Sequence, residues 1–146
     1  MGYFEEIKNL IIEASRLVGA PLEYEKDFEI KYQPINHKPV ALPQGKMAVY
    51  TFVYNGNFLK IGQASANAGA RYRNQHYNPN AANSTLANRL INDPENSSLV
   101  NEDNVKQWIK ENCERYDVII DKEYGKFALN FIEGMLHYKY KPKYEG

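Results

Sequence analysis

The residues of this chain that could do chemistry are unevenly spread. No Asp or Glu occurs from residue 30 to residue 92, while Lys31, Lys38, Lys46, Lys60, Arg71, Arg73 and Arg89 give that stretch a charge of +7. Residues 1–29 carry seven carboxylates against three bases and residues 93–146 eleven against eight, so the chain is neutral overall. A run of 63 residues without a carboxylate is improbable at 25% charged residues. Two readings are open: a chance cluster on a solvated face, or a surface that must tolerate phosphate, since steering and contact depend on local charge. On the second reading the bases line a cleft and the acids of 1–29 lie away from it. Glu133 sits among Phe131, Ile132, Met135 and Leu136. It reads either as a hard oxygen ligand suited to one Mg²⁺ or as a surface glutamate in an i,i+4 contact. The single cysteine, Cys113, excludes an intramolecular disulfide and a Cys-rich zinc site. His37 and His137 have no partner at ligand spacing and read as structural.

The elements that must position these groups follow from periodicity. A length of 146 residues with 43% hydrophobic and 25% charged residues suits one domain with a short extension. No apolar run approaches a membrane span, and the acidic N-terminus lacks a signal-peptide pattern, so a soluble, cytoplasmic protein is expected. Phe4, Ile7, Leu10, Ile11, Ala14 and Leu17 predict an amphipathic helix over 3–18, ended by Gly19 and Pro21. Residues 22–46 are polar and proline-punctuated, an extended arm in which Phe28–Tyr32 could form one edge strand. The core domain, 47–146, opens with a hairpin: Ala48–Val53, an Asn55-Gly56 turn and Phe58–Ile61. Residues 65–77 read as a basic helix and Ser84 opens a second one with Leu86, Leu90 and Ile91. A third, 102–115, turns Val105, Trp108, Ile109 and Cys113 inward. A strand at 116–120 and a final helix at 126–139 follow, the latter with Phe127, Leu129, Phe131, Ile132, Met135 and Leu136 as its apolar residues. The predicted fold class is α+β, a small three-stranded antiparallel sheet flanked by helices, preceded by the N-terminal helix and arm of residues 1–46.

The hairpin holds Ala48-Val49-Tyr50 in its first strand and Lys60-Ile61-Gly62 in its second. This resembles the GIY-YIG nuclease family, whose two tripeptides occupy adjacent antiparallel strands. An arginine on the following segment (Arg71), a serine-containing helix start (Ser84-Thr85-Leu86), a late helical carboxylate (Glu133) and the ending Lys139-Tyr140-Lys141-Pro142-Lys143-Tyr144 match in the same order. The resemblance covers roughly residues 47–146 and leaves the first 46 unassigned. Three positions depart from it: Ala48 for the first glycine, Lys60 for the second tyrosine, and Glu145 where the family usually has asparagine. Some members carry Lys-Ile-Gly, so Lys60 resembles a subfamily variant.

The resemblance implies Mg²⁺-dependent hydrolysis of phosphodiester bonds with one metal ion on Glu133. Tyr50 would orient or deprotonate the attacking water. A free tyrosine, with a pKa of about 10, is a poor base at neutral pH and needs a nearby cation, which Lys60 on the paired strand would supply. Against these roles stand a core aromatic for Tyr50 and an edge lysine that discourages aggregation for Lys60. Arg71 would bridge phosphate oxygens, a bidentate task suited to guanidinium. His76 resembles a family histidine one turn after the arginine, although here it lies five residues on, and a solvated helix-end histidine is the equal alternative. Arg73, Arg89, Lys139, Lys141 and Lys143 are the candidate nucleic-acid-binding bases.

The expected activity is therefore a Mg²⁺-dependent endonuclease acting on DNA, with RNA as the alternative substrate, in a monomer or homodimer away from membranes. The rival expectation is a catalytically inactive nucleic-acid-binding or interaction module on the same fold. Either predicts binding that weakens steeply with salt, because log K falls with log[salt] at about 0.9 per duplex phosphate neutralised. Fluorescence anisotropy on a labelled duplex between low and physiological salt checks this. An affinity that barely changes would contradict a phosphate-contacting surface.

Overall fold

A computed structural model describes residues 2–68, 72–81 and 85–145. Helix α1 (Phe4–Leu17) is followed by strands β1 (Phe28–Gln33), β2 (Lys46–Tyr54) and β3 (Asn57–Ala64). After them come a 3₁₀ turn (Gln75–Tyr77), α2 (Leu86–Ile91), α3 (Val105–Asn112), β4 (Arg115–Asp121) and α4 (Gly125–Tyr140). All strand pairings are antiparallel, in the order β1-β4-β2-β3. The fold is α+β as expected, but the sheet has four strands rather than three. The additional strand comes from the arm: Phe28 pairs with Ile120 and Gln33 with Arg115, so β1 forms the edge beyond β4.

The β2–β3 hairpin closes through Asn55 and Gly56, with φ of 50° and 78°. Positive φ at both central residues is the type I′ signature that matches strand twist. The sheet is covered on both sides. One face packs Val49, Val53, Ile61, Val118 and Ile120 against Ile7 and Ile11 of α1 and Leu129, Ile132 and Leu136 of α4. The other packs Ala48, Tyr50, Phe52 and Ile119 against Leu86, Leu90, Val105 and Ile109. Two-sided cover explains why β2 reads as an unbroken apolar run rather than an alternating one.

Two of the expected helices end elsewhere. The expected helix over 65–77 is a turn at Ala66–Asn67 and a short helical piece at Tyr72–Arg73 before the 3₁₀ turn, residues 69–71 lying outside the described chain. Tyr72 and Tyr77 are both buried. Five residues apart, they would lie about 140° apart on a regular helix, so a tighter turn is needed to bring both rings inward. The helix expected to reach 115 stops at Asn112, because Glu114 already bridges Val53 and Arg115 begins β4. Phe127, one of the apolar residues named in the final helix, is 79% exposed; Leu129, two positions on, faces the sheet and so turns Phe127 away.

Beneath the second face lies a polar network. Arg115 and Asp117 pair at 3.1 Å, both essentially without solvent exposure. Asp117 accepts from the Thr51 backbone N–H (3.1 Å), Gln33 Nε2 (2.9 Å) and the Tyr72 hydroxyl (2.9 Å). Arg115 donates to the Tyr77 hydroxyl (3.0 Å), which meets His37 Nε2 at 2.6 Å. Burial, then the Arg115 charge, pushes the His37 pKa down to about 4, so its ring is neutral. Burial pushes the Asp117 carboxyl up, while Arg115, the Thr51 N–H and the Tyr72 hydroxyl hold it down. Removing one partner of a buried pair strands the other charge. Arg115→Met is therefore expected to lower stability by about 3–5 kcal/mol, read as a shifted midpoint in urea unfolding; a change below 1 kcal/mol would contradict it.

Candidate active site

Tyr50 and Gly62 are direct partners across the hairpin, and Phe52 faces Lys60, so Tyr50, Lys60 and Gly62 share one face of the sheet. The Tyr50 ring lies flat over Gly62. A Cβ at Gly62 would stand 2.6 Å from Tyr50 Cζ and 2.9 Å from Cε1, which real atoms do not tolerate. Glycine here makes the space in which the phenol lies.

His76 is delivered by the 3₁₀ turn and is 7% exposed. The backbone N–H of Leu86, in the first turn of α2, donates to His76 Nδ1 at 3.1 Å. That leaves the ring proton on Nε2, which donates to Tyr50 Oη at 2.6 Å. Thr85 caps α2 by accepting from the Asn88 N–H at 3.2 Å, fixing the turn that holds the imidazole.

Glu133 approaches from the other side. Its helix, α4, covers the opposite face of the sheet from Tyr50, but β3 is the edge strand. Gln63, on the α4 side of β3, donates to Glu133 Oε1 at 2.7 Å and to Asn130 at 2.8 Å. The carboxylate thereby reaches around the edge into the cleft that Tyr50 lines. This cleft, about 260 Å³, is bounded by Tyr50, Lys60, Gly62, Gln63, His76 and Glu133, with Gln75, Thr85, His137 and Glu145.

The structure brings Tyr50, Lys60, His76 and Glu133 together; Arg71 lies outside the described residues. Lys60, expected to supply the cation near Tyr50, has its ammonium paired with a carboxylate. Its Nζ donates to Glu145 Oε1 at 2.8 Å, while the Tyr50 hydroxyl meets His76 Nε2. His137, read from sequence as structural, lines the cleft. Its Nε2 donates to the Ile61 carbonyl (2.8 Å) and to Glu145 Oε2 (2.9 Å), 3.9 Å from Glu133. Its position four residues after Glu133 on one helix face was the available signal. Gln63 carried no such signal, because Asn130 and Glu133 lie 67 and 70 residues away, and Glu145 stood out in sequence only as a departure from the family's asparagine.

The remaining bases are dispersed. Lys143 pairs with Glu95 (3.0 Å) and Asp93 (3.3 Å), and Lys141 donates to the Tyr138 carbonyl. Lys139 and Arg73 are exposed and Arg89 half-buried. Lys46 pairs with Asp121, Lys31 lies on β1 and Lys38 in the linker. Of the bases in the carboxylate-free stretch, only Lys60 lines the cleft among the described residues, so the expectation that they line it together does not hold. The acids of residues 1–29 are absent from its described lining, as expected.

Among the described residues no set of three or more His, Cys, Asp or Glu side chains is arranged to hold a metal. A Mg²⁺ ion that keeps most of its waters needs only one or two carboxylates, and Glu133 in a polar cleft fits that requirement. No family model matches this chain, and no curated protein or solved structure matches it either.

The contact between Gly62 and Tyr50 is directly testable. Gly62→Ala should cost about 1–3 kcal/mol through overpacking and break the Tyr50–His76 hydrogen bond, seen as a shifted His76 Nε2–H resonance. The same substitution in a Tyr50→Leu background should cost clearly less. Equal costs in both backgrounds would mean that the ring does not set the demand for glycine.

Proposed function

We propose that the protein is a Mg²⁺-dependent endonuclease of the GIY-YIG type that hydrolyses phosphodiester bonds of DNA. The observation that carries this reading is the convergence of Tyr50, Lys60, His76 and Glu133 on one cleft, with Gly62 making room for the phenol. Phosphodiester hydrolysis needs an activated water, neutralisation of charge building on phosphorus, and a leaving oxygen that can depart.

His76 Nε2–H, aimed at Tyr50 Oη, favours negative charge on that oxygen. Tyr50, as a phenolate whose own proton has gone to solvent, can then take a proton from water as the water oxygen attacks phosphorus, and the leaving oxygen departs as an alkoxide that is protonated from solvent. Lys60 supplies positive charge on the same face as Tyr50, toward the nonbridging oxygens. Arg71 would add a bidentate clamp on the same phosphate. Glu133 would hold the Mg²⁺, which when bound supplies charge neutralisation at the phosphate. Gln63 orients that carboxylate by occupying its other oxygen.

Nicking of a supercoiled plasmid with Mg²⁺ tests the reading. Reproducible cutting is expected, abolished by Glu133→Ala and reduced about 10²–10⁴-fold by Tyr50→Phe, the usual worth of a positioned general base. Binding without cutting would assign the chain to the rival, a nucleic-acid-binding module on this fold. Cutting that survives Glu133→Ala would remove the proposed metal ligand.

A further inference from the structure

The tail after α4 turns sharply at Lys141, with φ of 44°, and runs back along β3. Lys143 N–H donates to the Phe58 carbonyl (3.0 Å) and Tyr144 N–H to the Leu59 carbonyl (2.9 Å). Tyr144 is buried, and its hydroxyl donates to Asp93 Oδ2 (2.6 Å) and accepts from Asn96 Nδ2 (3.0 Å). Lys143 adds the ion pairs to Asp93 and Glu95. Six contacts thus fix the residues just before Glu145 and aim its side chain into the cleft.

There the Glu145 carboxylate is held at both oxygens: Oε1 by Lys60 Nζ at 2.8 Å and Oε2 by His137 Nε2 at 2.9 Å. Lys60 is almost wholly buried, and Glu145 is about one-fifth exposed. Two donors converging on an anion beside Tyr50 and Glu133 form the kind of cradle that a tetrahedral oxyanion fits. We propose that Lys60 and His137 form a phosphate subsite of the cleft and that Glu145 is its built-in competitor, so that the tail carboxylate must leave before a phosphate can enter. This rests on the nuclease reading for its biological substrate, though not for the anion chemistry. It also gives a role to the position at which the chain carries a charge where the resembled family has a neutral amide.

A ligand that binds only the open form has its apparent affinity reduced by the fraction of chains that are open. If about one chain in ten has Glu145 displaced, removing the carboxylate should tighten phosphate binding about tenfold. The experiment is calorimetric titration of the full chain with inorganic phosphate, the His137 imidazole resonances reporting the site. Glu145→Gln is expected to bind about tenfold more tightly than the parent, and Lys60→Met added to it should erase the gain. Tyr144→Phe, which keeps the carboxylate but loses its tether to Asp93, should give a smaller gain in the same direction. Unchanged or weaker phosphate binding by Glu145→Gln would overturn the proposal. So would a loss of Mg²⁺ affinity in that variant, which would make Glu145 a metal ligand instead. A chain that never cuts DNA but gains phosphate binding through Glu145→Gln retains the competitor and loses only the nuclease reading; a chain that cuts without that gain does the reverse.

Discussion

The structure depends most heavily on an ion pair that never meets water. Arg115 and Asp117 sit two residues apart on β4, and their side chains gather groups from nearly every neighbouring element. Gln33 comes from β1, Thr51 from β2, Tyr72 and Tyr77 from the segment before α2, and His37 from the linker. A buried pair of this kind is no sure source of stability, since desolvation offsets much of the attraction. Its effect is on arrangement: the donors and acceptors must find partners together, and few packings satisfy all but one of them, Arg115 Nη2 keeping only its ion-pair contact. The segment that carries His76 is pinned at Tyr72 and Tyr77, on either side of the histidine. Placement of the imidazole against Tyr50 is thus inherited from a charge pair that lies behind the cleft, with Arg115 6.0 Å over the Tyr50 ring.

The same pair replaces part of the backbone ladder. The β2–β4 register runs from Lys46–Asp121 to Val49–Val118, after which the Thr51 N–H goes to the Asp117 carboxylate and the Thr51 hydroxyl bonds both the N–H and the carbonyl of Tyr116. Main-chain pairing resumes at the Val53–Glu114 bridge. Side chains satisfy the backbone groups that the widened gap would otherwise leave bare.

Local physics was readable in advance; distant pairing was not. The Asn55-Gly56 turn declares itself because its conformation is set by two adjacent residues, and α1 because its apolar residues repeat every turn. The strand at Phe28–Gln33 was visible as a possible edge but not as a member of the sheet, since its partner on β4 lies some ninety residues on. Asp117 lies in the strand read at 116–120, and only the assembled network explains a carboxylate there. In the cleft, Tyr50, Lys60 and Glu133 were legible through spacing and motif order. The bonds that orient them were not: His76 reaches Tyr50, Gln63 reaches Glu133 and Glu145 reaches Lys60 across chain separations of 26, 70 and 85 residues.

The cleft is built around an edge. Tyr50 and His76 lie on one face of the sheet and Glu133 and His137 on the other, with β3 as the only strand between them. Edge strands and tails open at lower free energy than central strands, often as a unit separate from global unfolding. Parting β3 and its tail from the sheet would scatter the cleft residues while leaving Arg115, Asp117 and much of both cores in place. The geometry of the cleft and the global fold therefore have different weakest points.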